Sequence, residues 1–245
     1  MKTVILTINS QGKKIAQNLK PGLADTRIIH LNKNHNIKTV VKECFGSYPA
    51  IIFIAATGIV VRLIAPYIKN KLSDPAVVVI DSAGRFSISL LSGHEGGANA
   101  LAYRIASALD ASPVITTGTE SAKKIIMGIG CRRNLSALEI KRVILQTAKK
   151  HRILINKIRL AATIELKKND LGLNQACNEL NLPLVFKNKT ELNRVKGIPA
   201  SSVVKKNIGI NGVCEPCALL AGRRTELIVP KQISKGVTIA FAKEA

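Results

Sequence analysis

The stretch Ala50-Ile51-Ile52-Phe53-Ile54-Ala55-Ala56 decides the fold class. A continuous apolar run with no polar alternation reads as a strand buried on both faces, as in a parallel sheet covered by helices on either side. Thr57-Gly58 ends the run, and a helix over 59–68, interrupted at Pro66, is expected next. Upstream, strands are expected at 3–8 and 25–31, with helices at 12–18 and 37–44. Downstream, 76–80 and 86–91 read as short strands joined by a hairpin-type connection at 81–84. A helix over 98–109 and a strand at 112–116 complete this part. Strands alternating with helices define an α/β layered domain, here residues 1–120 with a largely parallel sheet.

Residues 121–245 repeat the logic with a mixed sheet. Strands are expected at 125–129, 158–162 and 182–186, and a terminal hairpin at 226–231 and 236–241. Ser136-Ala137-Leu138-Glu139 is a capping-box signature opening a helix to about residue 150. Further helices are expected over 174–179, from Thr190, and after the turn at Gly212. The reading is therefore two α/β layered domains, 1–120 and 121–245.

With 245 residues and 47% apolar content, each part can bury a core. The longest apolar run, 50–61, falls short of the roughly 20 residues that cross a bilayer. The first ten residues lack a signal-peptide pattern, so a soluble cytoplasmic protein is expected, with no membrane partner. Cys44, Cys131, Cys177, Cys214 and Cys217 are odd in number and scattered, which is no disulfide framework. Cys214-Glu215-Pro216-Cys217 stands without the second pair a zinc site wants. The net charge is +22, and it is uneven: residues 1–120 carry 13 basic and 7 acidic side chains, residues 121–245 carry 24 and 8. Such a field attracts anions. The basic half contains only Phe186 and Phe241 as aromatics, which argues against single-stranded nucleic acid and leaves a small polyanion, duplex nucleic acid or compositional drift toward Lys, Asn and Ile as readings of the charge.

Chemistry concentrates in Leu91-Ser92-Gly93-His94-Glu95-Gly96-Gly97-Ala98-Asn99, a turn from strand to helix. Gly93, Gly96 and Gly97 let backbone approach a ligand or adopt positive φ, and N–H groups at a helix start can hold an anion or oxyanion. His94 titrates near neutrality when unperturbed and is the first candidate base. Glu95 reads as a carboxylate favoured near a helix N-terminus. Asn99 could donate to a ligand carbonyl or cap the helix. Thr57-Gly58 and Thr116-Thr117 also follow strands, where open α/β sheets bind ligands, and could line the same crevice as Gly93.

Several stretches together resemble the cobalt-precorrin-5A hydrolase family of anaerobic cobalamin biosynthesis, the CbiG type. They are 53–66 (FIAATGIVVRLIAP), 71–79 (KLSDPAVVV), 91–99 (LSGHEGGAN) and 114–117 (VITT). In the second part Gly128-Ile-Gly-Cys-Arg-Arg133, Ser136, Lys168, Gly209, Gly212-Val-Cys-Glu215, Lys231 and the strand from Val237 are similar too. The middle region of longer members is missing, since 119–124 runs almost directly into Ile125. The resemblance implies hydrolysis of a tetrapyrrole δ-lactone with loss of acetaldehyde, giving cobalt-precorrin-5B. Cobalt then arrives inside the substrate, and no bound metal or nucleotide cofactor is expected. Arg62, Arg132 and Arg133 beside motif glycines suit the substrate's carboxylates. Glu215 at a helix start could be a second acid/base group or a helix-dipole partner. Other readings are a non-catalytic tetrapyrrole carrier and a basic nucleic-acid-binding protein.

Overall fold

The computed structural model describes residues 1–245 apart from 24, 32–35, 199–204 and 207. The chain divides into two compact units, Met1–Thr119 and Glu120–Ala245.

The first unit runs β1 (Thr3–Thr7), α1 (Ser10–Leu19), β2 (Thr26–His30), α2 (Ile37–Ser47), β3 (Ala50–Ile54), α3 (Thr57–Ile64), β4 (Ala76–Ile80), β5 (Phe86–Leu91), α4 (Ala98–Leu109) and β6 (Ser112–Val114). A short helix, α5 (Gly118–Ser121), spans its end. The sheet order is β2-β1-β3-β4-β5-β6. Every residue of β1, β3 and β4 is buried, which explains why these strands read as unbroken apolar runs. Alternate side chains point to opposite faces. Ile5, Ile52, Ile54 and Val78 meet Ala16 and Leu19 of α1 and Leu101 and Ile105 of α4. Val4, Leu6, Ile51, Phe53 and Val79 meet Val41 and Cys44 of α2 and Val60 and Ile64 of α3. Each of the Val, Leu, Ile and Phe side chains among these contributes about 1.5–3 kcal/mol by leaving water. Asn9 and Asn36 start α1 and α2 by accepting the N–H groups of Gly12 (2.7 Å) and Thr39 (3.3 Å). Helix α3 begins at Thr57 and stops at Ile64, earlier than the sequence pattern suggests, because Pro66 cannot supply the next helical N–H and heads a 3₁₀ turn, Ala65–Tyr67.

Strand direction positions the site. β1 to β4 are mutually parallel, β5 pairs antiparallel with β4, and β6 runs parallel to β5. Leu91 at the end of β5 therefore lies beside Val77 at the start of β4, and Ser87 beside Ile80. The carboxyl ends of β5 and β6 share an edge with the amino ends of β3 and β4.

The second unit runs β7 (Ile125–Cys131), α6 (Ala137–Lys150), β8 (Ile158–Ile164), α7 (Leu171–Glu179), β9 (Leu184–Lys187), α8 (Lys189–Arg194), α9 (Cys214–Leu220), β10 (Thr225–Ser234) and β11 (Val237–Glu244). The order β10-β11-β7-β8-β9 is mixed: β7, β8 and β9 are parallel, while β11 is antiparallel to β7 and β10. Met127, Ile129, Ile140, Ile144, Leu173 and Phe241 centre its core. The two units are α/β, one with a mostly parallel and one with a mixed sheet, as expected.

Three helices of this unit carry closed N-termini. Ser136 and Glu139 form the capping box that the sequence announces on α6. Asn188 and Glu191 form a second on α8. Asp170 accepts the N–H of Leu173 (3.1 Å) and starts α7 at Leu171, earlier than the pattern 174–179 suggests. α9 lies directly on β7. A Cβ at Gly128 would fall 1.7 Å from the carbonyl oxygen of Cys214 and 2.8 Å from the nitrogen of Ala218, so only glycine permits this approach.

Candidate active site

The loop from β5 to α4 is built around its own backbone. Ser92 turns in the left-handed region (φ +53°), and Gly97, the residue before α4, does so again (φ +84°). The Ser92 carbonyl accepts the N–H groups of Gly96 (3.1 Å) and Ala98 (3.2 Å), and the Gly93 carbonyl accepts that of Asn99 (2.9 Å). Much of the helix start that could bind an anion is thus spent on the loop itself. The N–H groups of His94 and Gly97 have no partner among the described residues. Gly93 is confined: a Cβ there would sit 2.7 Å from both Asn99 Oδ1 and Thr117 Cγ2. Under Gly96 lies the side chain of Ser92, whose hydroxyl is screened from solvent and has no hydrogen-bond partner among the described residues.

Asn99 does not cap α4, since no side chain does. It is buried, and it bridges two strands. Its Oδ1 accepts from Ser89 Oγ on β5 (2.8 Å), and its Nδ2 donates to Thr117 Oγ1 beyond β6 (2.9 Å). Thr116 is exposed and Thr117 half-buried. His94 and Glu95 are exposed on the loop. The ion pair with Lys71 (3.1 Å) holds the Glu95 carboxyl below its ordinary range. Lys71 belongs to the loop before β4, where buried Asp74 accepts the N–H of Lys69 (3.0 Å) and fixes the turn. The stretches 71–79, 91–99 and 114–117 therefore converge on one edge of the sheet.

Thr57, Gly58 and Arg62 do not join them. They follow β3, and β3 runs opposite to β5, so they lie at the other edge, about 16 Å away along a five-residue strand. The shared crevice expected from the sequence is corrected on this point: a strand end has a side only once strand direction is known. At that edge exposed Arg62 donates to the Gly58 carbonyl (2.9 Å).

In the second unit, Glu215 is buried in the first turn of α9, and its Oε1 accepts the backbone N–H of Lys231 on β10 (3.1 Å). Arg132 and Arg133 are exposed just beyond β7. The Arg132 carbonyl accepts from Lys167 Nζ (3.2 Å), which also pairs with Asp170 (2.7 Å). Burial alone would raise the Asp170 carboxyl, but the Lys167 and Leu173 donors outweigh it and hold it below normal. Cys214 and Cys217 are buried, and desolvation pushes the Cys214 thiol up to about 11 and that of Cys217 higher still. The sequence reading missed Ser89 and Asp74. Ser89 is one more small polar residue in a strand, and only the pairing of β5 with the start of α4 shows its partner.

Strands alternating with helices, with the glycine-rich turn at 93–97 feeding α4, define an α/β layered protein. The "Cobalamin synthesis G N-terminal" family model matches residues 39–120, and "Cobalamin synthesis G C-terminus" matches 125–242. The chain belongs to the cobalamin synthesis G family. It is 26% identical to the cobalt-precorrin-5A hydrolase of Priestia megaterium, over 97% of this chain and 94% of that protein. That alignment covers 350 positions against the 245 residues here, so a large block of the relative has no counterpart in this chain. The cobalt-precorrin-5A hydrolase of Salmonella typhimurium is 60% identical over 79 residues, which is 32% of this chain and 22% of that protein. Among solved structures, a cobalamin biosynthesis protein G homologue from Sulfolobus solfataricus is 23% identical and covers 100% of this chain and 97% of its own (TM-score 0.40).

Proposed function

We propose that the protein is a cobalt-precorrin-5A hydrolase. It opens the δ-lactone of a cobalt tetrapyrrole with water, and a two-carbon fragment leaves as acetaldehyde, giving cobalt-precorrin-5B. The observation that carries the reading is the agreement of two models of one family across both units, 39–120 and 125–242. Cobalt enters as part of the substrate.

The reaction needs a base for water and donors for the oxyanion formed at the lactone carbonyl. The edge that holds Gly93, His94, Gly96, Gly97, Asn99, Thr116 and Thr117 supplies these types of group together. His94 is the base in this reading: it is exposed, and its imidazole is bound to nothing that would fix it elsewhere among the described residues. Glu215, whose carboxylate holds the Lys231 N–H, is a brace between α9 and β10. Arg132 and Arg133 attract the substrate's carboxylates.

Incubation with cobalt-precorrin-5A tests the function through acetaldehyde release. Binding without release would leave a carrier in place of an enzyme. His94→Ala is expected to lower turnover at least about 10²-fold, the lower range for a lost acid/base group, with little change in melting temperature. Near-normal turnover in that variant would remove His94 as the base.

A further inference from the structure

The hydrogen bonds through Asn99 have a direction. Ser89 Oγ–H donates to Asn99 Oδ1 (2.8 Å), and Asn99 Nδ2–H donates to Thr117 Oγ1 (2.9 Å). Thr119 Oγ1 donates weakly to the same Thr117 oxygen (3.5 Å). The Thr117 oxygen is thus an acceptor from the protein, and its own hydrogen is left to donate outward. Aligned hydrogen bonds polarise one another, by about 10–30% per bond, so the last hydroxyl becomes the best donor. Asn99 is 6% exposed and cannot reach a ligand as freely as Thr117, which is half-buried at the surface of the edge. Gly93 packs against both residues with no room for a Cβ, which holds the β5–α4 loop against Thr117.

We infer that the Thr117 hydroxyl is the side-chain donor to the lactone carbonyl oxygen as it becomes an oxyanion, and that Asn99 and Ser89 are positioning residues that aim it. The inference rests on the hydrolase reading above. Thr117 keeps its proton throughout. The attacking water supplies the hydroxyl that bonds to the carbonyl carbon, the base takes the water's proton, and the carbonyl π pair moves onto the oxygen that Thr117 holds. When that pair returns, the ring C–O bond breaks and the leaving alkoxide takes the proton back from the base. The direct donor is thereby moved from Asn99, which the sequence offers, to its neighbour in space.

Four variants test it with cobalt-precorrin-5A and acetaldehyde release: Thr117→Val, Thr117→Ser, Asn99→Asp and the double variant Asn99→Asp/Thr117→Val. Thr117→Val removes only the hydroxyl and should lower kcat about 10²–10³-fold, the range for one lost oxyanion donor, with KM changed little. Thr117→Ser should restore most of the loss. Asn99→Asp keeps the shape but offers no N–H, so the Thr117 hydrogen turns inward to the carboxylate; kcat should fall nearly as far. The double variant should be no slower than either single one, because both remove the same hydrogen bond. Melting temperatures establish that each variant folds, and Thr117→Ala replaces Thr117→Val should that one not fold. Turnover within threefold of the unmodified protein in Thr117→Val, or multiplying effects in the double variant, would overturn the inference while leaving the hydrolase reading intact. Absence of acetaldehyde from the unmodified protein would overturn both.

Discussion

Replacing Gly128 by alanine perturbs one contact, the seat of α9 on β7. The added Cβ would fall 1.7 Å from the Cys214 carbonyl oxygen, and contacts under 3.0 Å force a shift, so the start of α9 must retreat by more than an ångström. It has nowhere to go. Cys214, Glu215, Pro216, Cys217 and Ala218 are all buried, and Glu215 is tied to the Lys231 N–H. Overpacking costs typically 1–3 kcal/mol and occasionally more. We expect about 3 kcal/mol here, which corresponds to a fall of roughly 10–15 °C for a unit of this size. Circular dichroism can assign the loss. The three tyrosines, Tyr48, Tyr67 and Tyr103, all lie in the first unit, and the chain has no tryptophan. A far-UV melt should therefore move while the tyrosine near-UV melt stays close to that of the unmodified protein. Gly46→Ala is the control, because a Cβ there meets nothing within 4 Å. A far-UV midpoint for Gly128→Ala within about 2 °C of the parent would refute the packing argument, since even 1 kcal/mol moves a small domain that far.

Three other outcomes follow from charge and burial. Asp170 and Glu244 are each raised by burial but lowered further by their donors, Lys167 and Leu173 for one, Arg159 and Arg223 for the other. Their folded pKa values lie below the unfolded ones, so their contribution is complete above about pH 4 and is lost as pH falls through the folded values. Urea titrations from pH 7 to 2 should show this decline, and Glu244→Gln should flatten it; an unchanged slope would count against the Arg159 pairing. Of the five thiols, only Cys131 is partly accessible, and burial raises it too, so alkylation at pH 8 should be slow there and absent at Cys44, Cys177, Cys214 and Cys217 until denaturant is added. Rapid native labelling at Cys214 or Cys217, read by mass spectrometry, would contradict the seat of α9. Capture of a polycarboxylate tetrapyrrole should slow as salt rises, because the +22 field is screened; a stopped-flow rate independent of ionic strength would leave the charge without a part in association.

What was legible in the sequence is what depends on local pattern. The run through Ala50–Ile54 announced a strand covered on both faces, and its residues are all buried. Ser136 and Glu139 announced the α6 cap, which forms with both hydrogen bonds. The glycine turn at 93–97 announced a strand-to-helix loop, and positive φ at Gly97 is part of it. What was not legible depends on partners distant in the chain. The apolar residues of β5 say nothing of which way it runs beside β4, so the sides of the sheet on which Thr57 and Gly93 fall could not be read. Asn99 read as either a ligand donor or a cap because it stands near a helix start, and only the placement of Ser89 and Thr117 shows it as a bridge. Gly128 stood only as the first residue of the stretch 128–133; the carbonyl of Cys214, far along the chain, explains it.

The closed N-termini of α6, α7 and α8 all follow the parallel strands β7, β8 and β9, and so face one edge of the second unit. With these N-termini capped by Ser136, Glu139, Asp170, Asn188 and Glu191, the exposed side chains of Arg132 and Arg133 are among the described cationic groups left at that edge to meet an anion. An anion's hold at that edge therefore depends on side chains rather than on helix ends, so single surface substitutions are expected to retune it while every helix start stays untouched.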